Sequence, residues 1–90
     1  MKILQSGVFR RRVRKLHASE KKLLDTVVRR IVSDATIGQM KTGDLAGVQV
    51  YKYKRKTQQY LLAYRINPNG KALTLLALGS HENFYRDLKR

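Results

Sequence analysis

The most restrictive feature of the sequence is an almost unbroken apolar run near its end, Leu-Thr-Leu-Leu-Ala-Leu at positions 73–78. A run this short, without helical spacing, is typical of a β-strand that is covered on both faces. Gly79 ends the run, and the turn sequence Asn-Pro-Asn-Gly at positions 67–70 comes before it. Residues 73–78 are therefore predicted to form a central strand of a sheet.

Further strands are indicated on the N-terminal side of that turn. Residues 48–55 and 60–66 are rich in β-branched and aromatic side chains, and the polar residues 56–59 between them predict a hairpin. Residues 2–5 form a short run that is compatible with an edge strand.

The first half of the chain has helical periodicity instead. Phe9, Val13 and Leu16 recur at i, i+4 and i+7, which predicts an amphipathic helix with a basic outer face. Ser19, followed by Glu20, is expected to cap a second helix. Helical spacing then continues through Leu23, Leu24, Val27, Val28, Ile31 and Val32.

These elements predict a single α+β domain over residues 1–90. The break at 17–19 should fold the two helices into an antiparallel hairpin, and residues 34–47, with three glycines, should form a connecting loop. A short C-terminal helix is expected to start at His81 after a Ser80 cap, with Phe84 and Leu88 on its apolar side. The predicted order is β-α-α-β-β-β-α, an antiparallel sheet with the N-terminal helical hairpin packed on it.

The chain is strongly basic. Twenty lysines and arginines against 6 acidic residues give a net charge of +14 at pH 7. Clustered cations favour polyanions, because neutralising phosphates releases counterions. Nucleic acid, a ribosome or an acidic protein fits this charge, with an anionic membrane surface or a merely solvated exterior as the alternatives.

Composition excludes several other classes of protein. With no cysteine and two histidines, the chain is neither a disulfide-stapled domain nor a structural zinc protein. No apolar stretch reaches the roughly 18–20 residues of a membrane span, and the first residues lack a signal-peptide pattern. We therefore expect a soluble cytoplasmic domain without a metal or cofactor.

Three stretches carry a resemblance to a known family. The loop at 43–48 leads into Tyr-Lys-Tyr-Lys at 51–54, Tyr-Leu-Leu-Ala-Tyr follows at 60–64, and Leu-Leu-Ala-Leu-Gly-Ser-His stands at 75–81. In this order and spacing they resemble the RelE/ParE superfamily of bacterial toxin–antitoxin toxins, across essentially the whole chain.

The resemblance implies a RelE-like fold and a toxin that an acidic cognate antitoxin holds inactive. RelE-like members cut mRNA in the ribosomal A site, where the 2′-hydroxyl of the RNA attacks the adjacent phosphate. ParE-like members instead poison DNA gyrase by binding alone. An endoribonuclease that inhibits translation is the leading hypothesis, with a gyrase inhibitor or a non-catalytic RNA-binding module as alternatives.

The resemblance also implies site residues. Lys52 and Lys54 match the two alternating lysines of the RelE hairpin strand, whereas Leu61 stands where the family has an arginine. His81 replaces a second arginine, and Asp87 falls at the position of the RelE tyrosine.

A variant pattern among ribosome-dependent nucleases places a histidine at this C-terminal turn, closely followed by an aromatic residue. His81 and Tyr85 are similar to that pattern.

Cleavage through the 2′-hydroxyl needs a base, a proton donor and positive charge around the phosphorus. Residues two apart on a strand share a face, so Lys52 and Lys54 should project together, with Tyr51 and Tyr53 on the other face. One lysine could act as a base while the other holds the phosphate. A solvated cationic face is the alternative interpretation.

His81 is the sharper candidate, because imidazole can give or take a proton near neutral pH. A structural histidine at a helix start is the alternative. Tyr85, four residues later, could stack on an mRNA base or belong to the core. His17, in the break between the helices, is expected to be structural.

Other cations are expected to bind RNA or phosphate. Arg65 shares strand parity with Leu61 and could replace the missing arginine, whereas Arg55 has the parity of the tyrosines on its strand. A basic cluster on the first helix is expected to dock on ribosomal RNA: Arg10, Arg11, Arg12, Arg14 and Lys15. No carboxylate pair, metal-ligand spacing or Ser-His-Asp arrangement occurs, which implies a metal-independent mechanism.

Overall fold

A computed structural model of the chain describes residues 1–80, 84, 85 and 88. Over this part of the chain, two α-helices and five strands form in the order β1 Lys2–Gln5, α1 Gly7–Arg14, α2 Ala18–Ser33, β2 Gln39–Met40, β3 Gln49–Arg55, β4 Gln58–Ile66 and β5 Ala72–Gly79. Single 3-10 turns at Ala35–Ile37 and Gly43–Leu45 lie on either side of β2. Phe84, Tyr85 and Leu88 are helical, in the stretch where a C-terminal helix is expected. The α+β class is confirmed.

The strands form one sheet in the order β1-β5-β4-β3-β2. The β2/β3, β3/β4 and β4/β5 pairs are antiparallel, but β1 lies parallel to β5. The sheet is therefore mixed, and the prediction of an antiparallel sheet is wrong at this edge. A hairpin turn sets the direction of two consecutive strands, whereas β1 and β5 stand at opposite ends of the chain and no local signal sets theirs. The strand β2 lies within the stretch predicted as a loop.

The strand β5 is buried on both faces, as its continuous apolar run predicts. Leu73, Leu75 and Leu78 belong to the core cluster beneath the helices, while Ala77 belongs to a second cluster on the opposite face. Against β4, Leu75 pairs with Tyr64 but Ala77 pairs with the preceding residue, so the register shifts by one residue. This irregularity lets Leu75 and Leu78 face the same side despite their unequal parity.

Both helices cover one face of the sheet through Phe9 of α1 and Leu24, Val27 and Ile31 of α2. The Ser6 hydroxyl accepts a hydrogen bond from the Phe9 amide at 3.0 Å, which caps α1. The same hydroxyl donates to the Leu76 carbonyl at 2.7 Å, at the irregular point of β5. One side chain thus fixes the start of α1 against the central sheet.

The second helix starts two residues earlier than the sequence predicts. His17, not Ser19, is the N-cap, and the Glu20 carboxylate accepts a hydrogen bond from the His17 amide at 3.1 Å. A glutamate three residues into a helix often reaches back in this way, which sets the cap position here. The Ser19 hydroxyl instead contacts Arg55 of the hairpin.

Tyr64 attaches the segment after α2 to the sheet. Its side chain is fully buried, and its hydroxyl donates to the Ala35 carbonyl at 2.7 Å and accepts from the Gly38 amide at 2.9 Å. A Cβ atom at Gly38 would run into the Tyr64 ring, so this approach needs glycine. No helix in the described part of the chain is long and apolar enough to span a membrane.

Replacing Tyr64 by phenylalanine should destabilise the fold. The change removes the hydrogen bonds of the half-buried Ala35 carbonyl and Gly38 amide, at a cost of about 0.5–1.5 kcal/mol for each bond. Urea unfolding should report a lower midpoint with an unchanged slope. The control is Tyr51→Phe, because the Tyr51 hydroxyl makes no hydrogen bond within the described residues. Equal midpoints for the two variants would contradict the anchoring role of Tyr64.

Candidate functional site

Lys52 and Lys54 project from β3 on the face of the sheet that the helices leave uncovered. Val48 and Val50, which share their parity, belong to the core cluster of that face, whereas Tyr51 packs against the helix-side cluster. Both lysines are exposed, and neither forms an ion pair within the described residues. Two cations therefore stand side by side above an apolar surface.

Lys52 lines an open cleft of about 280 Å3, and among the described residues Gln58, Gln59, Leu61 and Ser80 line it as well. The strand register explains this gathering, because Leu61 of β4 pairs with Lys52 on one side and with Gly79 on the other. Leu61 is only 2% exposed and forms an apolar floor. The strand β3 thus contributes the cation Lys52, and β4 contributes the apolar floor. Ser80, directly after β5, forms the rim of the cleft.

The C-terminal residues singled out from the sequence are only partly described. His81 and Asp87 lie outside the described residues. Ser80, the neighbour of His81 in the sequence, lines the cleft, and the Phe84 amide donates to the Ser80 carbonyl at 2.9 Å. Phe84 is fully buried in the core cluster of this face. Ser80 and Phe84 therefore lie on the same face that carries Lys52.

Tyr85 packs next to this core cluster. Its ring meets Phe84 edge-on, with ring centres 5.0 Å apart, and the Lys41 ammonium lies 5.8 Å from its centre. Tyr85 is half-buried, so part of the ring contributes to packing while part faces solvent. Aromatic contact and cation–π attraction together fix its position.

Arg65 shares the face of Leu61 but not its cleft. It lines a second cleft of about 280 Å3 together with Ser6, Asp44, Leu45 and Leu88. Four residues of β4 separate the two positions, a distance of about 13 Å along a strand. Arg65 therefore lines a different cleft from Lys52.

Arg55 is engaged on the helix side of the sheet. Its guanidinium donates to the Ser19 hydroxyl at 2.7 Å. Nearby, the Tyr60 hydroxyl donates to the Glu20 carboxylate at 2.5 Å, and the Tyr60 ring stacks on Tyr53 with ring centres 5.4 Å apart. These contacts hold the β3–β4 hairpin on the start of α2 and leave its opposite face to the lysines.

The hydrogen bond from Tyr60, and then the one from the His17 amide, hold the pKa of Glu20 below its ordinary value of 4.5. The same bond raises the pKa of Tyr60. Burial raises the pKa of Tyr53. The carboxylate is therefore the charged member of this contact at neutral pH.

The basic cluster of α1 lies on the helix layer, on the other side of the sheet from Lys52. Its exposed members are Arg10, Arg11, Arg14 and Lys15, while Arg12 is half-buried. Phe9 of the same helix belongs to the helix-side core, whereas Lys52 projects from the face that the two helices leave uncovered.

Sequence reasoning missed the two glutamines of the cleft, because residues 56–59 were predicted as a polar connection. In the structure the turn is shorter, since β3 ends at Arg55 and β4 starts at Gln58. The spacing of two residues between Gln59 and Leu61 could have predicted that both lie on the same face of the sheet. The described residues include no group of three or more acidic or histidine side chains suited to a metal ion.

Sequence comparison identifies the family. The profile of the ParE-like toxins of type II bacterial toxin–antitoxin systems matches residues 3–89. The chain therefore belongs to this family and is a type II toxin of the RelE/ParE superfamily. No curated protein matches the chain in sequence.

Solved structures share the fold. A variant of the E. coli toxin RelE in the free state has a TM-score of 0.74 at 17% identity, covering 98% of this chain and 93% of that one. A chain of the intact E. coli RelBE toxin–antitoxin complex has a TM-score of 0.71 at 17% identity, covering 90% of this chain and 96% of that one. A chain of the RelBE2 toxin–antitoxin complex from Mycobacterium tuberculosis has a TM-score of 0.62 at 21% identity, covering 89% of this chain and 96% of that one. The RelE-like fold expected from the resemblance is confirmed.

The Glu20–Tyr60 hydrogen bond should make the stability of the fold depend on pH in the acidic range. A carboxylate whose pKa is lowered on folding stabilises the protein above its unfolded value, near 4.5, and loses that contribution as the pH falls through the folded value. Tyr60→Phe lacks the bond, so its deficit in melting temperature against wild type should be full at neutral pH and shrink below pH 4.5.

Thermal melting of both proteins between about pH 7 and pH 3 measures this difference. The pKa of Asp34 is also lowered, by its hydrogen bonds to Thr36, but both proteins retain that contact and it cancels. Tyr51→Phe serves as the matched control, and the difference between its melting temperature and that of wild type should stay constant with pH. A deficit of Tyr60→Phe that stays constant across the range would contradict the assignment.

Proposed function

We propose that this toxin is a ribosome-dependent mRNA endoribonuclease that inhibits translation. The observation that carries the proposal is the cleft in which Lys52 and Ser80 meet above the buried side chain of Leu61. Ser80 directly precedes His81, so the titratable candidate follows a residue of the cleft in sequence. A binding-only toxin does not need a titratable histidine in this segment.

In the proposed reaction, the 2′-oxygen of the RNA attacks the adjacent phosphorus and the bond to the 5′-oxygen breaks. The 2′-hydroxyl gives up a proton and the leaving 5′-oxygen takes one, and His81 is assigned to proton transfer. Lys52 and Lys54 stabilise the negative charge on the crowded phosphate. Tyr85 is assigned to the adjacent base or phosphate. All the groups in this scheme are side chains, so it runs without a metal.

The apolar floor of the cleft explains why the proposal includes the ribosome. Leu61 supplies no charge where the family has an arginine, and Arg65 lines a different cleft. So few groups act efficiently only when the substrate is already held in a reactive geometry. The basic surface of α1 is assigned to ribosomal RNA, since its position on the other face of the sheet leaves the Lys52 cleft free.

The proposal includes an acidic cognate antitoxin and a cytoplasmic place of action. The net charge of +14 favours an acidic partner by long-range attraction. Two of the similar structures are toxin–antitoxin complexes. An antitoxin that covers the basic surfaces excludes the ribosome from them.

A ParE-like inhibitor of DNA gyrase is the second candidate. The matching family is described as ParE-like, and a buried leucine stands at the arginine position of the nuclease pattern. Such a toxin acts by binding and needs no proton transfer at His81.

Removing the two exposed lysines of β3 should abolish toxicity. Controlled expression of Lys52→Ala/Lys54→Ala is expected to lose growth arrest, because the phosphate loses its counter-charge. The matched control Lys22→Ala/Lys71→Ala removes the same charge at exposed positions outside the cleft and should remain toxic. His81→Ala should lower the cleavage rate by about 10²–10⁴-fold, the usual contribution of general acid–base catalysis. Full toxicity of the lysine and histidine variants would overturn the site.

The two candidate activities leave different traces in cells. A ribosome-dependent nuclease produces new 5′ ends within translated codons soon after induction, without an SOS response. A gyrase inhibitor induces the SOS response and leaves mRNA uncut. Mapping of mRNA 5′ ends together with an SOS reporter therefore decides between them, and the second pattern would refute the nuclease.

A further inference from the structure

The Lys52 cleft contains one polar side chain that the fold does not use. Gln59 is exposed and lines the cleft, and its side-chain amide makes no hydrogen bond within the described residues. Its neighbour Gln58 differs, because the Gln58 amide donates to the Gln59 carbonyl at 3.3 Å. The Gln59 amide is therefore available to a ligand in the cleft.

The hairpin register sets this amide beside the two cations. Gln59 pairs directly with Lys54 across the hairpin, and Lys52 is its diagonal neighbour next to Leu61. Directly paired residues have Cβ atoms about 4.5–5.5 Å apart, and diagonal neighbours about 7–8 Å. A nucleotide whose phosphate lies on the two ammonium groups thus has its base within reach of the Gln59 amide.

The amide chemistry selects among bases. A glutamine side chain offers one acceptor and two donors in a plane, which match N6 and N7 of adenine in a bidentate contact. On the same edge guanine has two acceptors, one of which meets the amide oxygen, and each pyrimidine has a single polar group. Single-stranded RNA exposes these edges, because its bases can be turned out of the stack.

The cleft is small and open to solvent. Its volume of about 280 Å3 lies just below the roughly 300–1,000 Å3 of small-ligand sites. Leu61 provides the apolar floor against which a base can lie.

We propose that Gln59 determines base specificity, by reading an adenine in the nucleotide that Lys52 and Lys54 hold. This inference rests on the proposed ribonuclease function and adds the residue that recognises the substrate. Lys52 and Lys54 hold the phosphate of any nucleotide, whereas Gln59 distinguishes one base from another.

The test uses the purified full chain and ribosomes programmed with short mRNAs. Each mRNA has a start codon in the P site and an A-site codon that does or does not contain adenine at one position. Wild type should cut the preferred adenine codon about tenfold faster than its adenine-free counterpart, as one bidentate contact allows. Gln59→Ala should reduce this ratio to within about twofold of one.

Two further variants sharpen the result. Gln59→Glu should shift the preference toward cytosine, because a carboxylate accepts from the cytosine amino group. Gln39→Ala, an exposed glutamine on β2 outside the cleft, should keep the wild-type ratio. Melting curves of all variants verify that the fold is retained.

The outcomes separate the inference from the function on which it rests. If Gln59→Ala and Gln59→Glu keep the wild-type codon ranking, or slow all codons equally, Gln59 does not read the base, while the nuclease function stands. If wild type cuts no codon at all, the nuclease function itself fails. A collapsed ratio in Gln59→Ala together with a cytosine shift in Gln59→Glu supports the proposal.

Discussion

Burial of the central strands on both faces is the constraint on which the rest of this structure depends. On one face Leu62, Tyr64 and Leu73 are sealed by the two helices, and on the other Leu61 and Ala77 form a second apolar cluster. That second face has no helical hairpin, and Phe84 of the C-terminal segment packs on it. The candidate cleft lies on this more thinly covered face, where a buried floor meets exposed lysines.

The β3–β4 hairpin has a different role on each of these two faces. On the helix side, the Glu20–Tyr60 and Ser19–Arg55 hydrogen bonds attach the hairpin to the start of α2. On the other side, Lys52 is exposed and forms no ion pair within the described part of the chain. The contacts that attach the hairpin and the exposed lysine therefore lie on opposite faces.

Local signals predicted much of this arrangement and failed where distant contacts decide. The two-residue period of β3 was enough to separate Lys52 from Tyr51, because alternation is a property of any extended strand. The start of α2 was misplaced by two residues, since Ser19 and His17 both precede Glu20 and only the bond formed by Glu20 distinguishes them. Strand parity correctly placed Arg65 on the same face of the sheet as Leu61. It did not reveal that the two residues line different clefts, because parity carries no information about distance along a strand.

The sequence by itself determined the α+β class, the family, the excess positive charge and the face on which each lysine of β3 lies. These depend on composition and on periods within single elements. Only the tertiary structure decided that β1 joins β5 in parallel, that β5 changes parity near Leu76, and that Gln59 and Ser80 meet Lys52 in one cleft. Each of these follows from the register between strands, which is set by side chains far apart in sequence that must share one core.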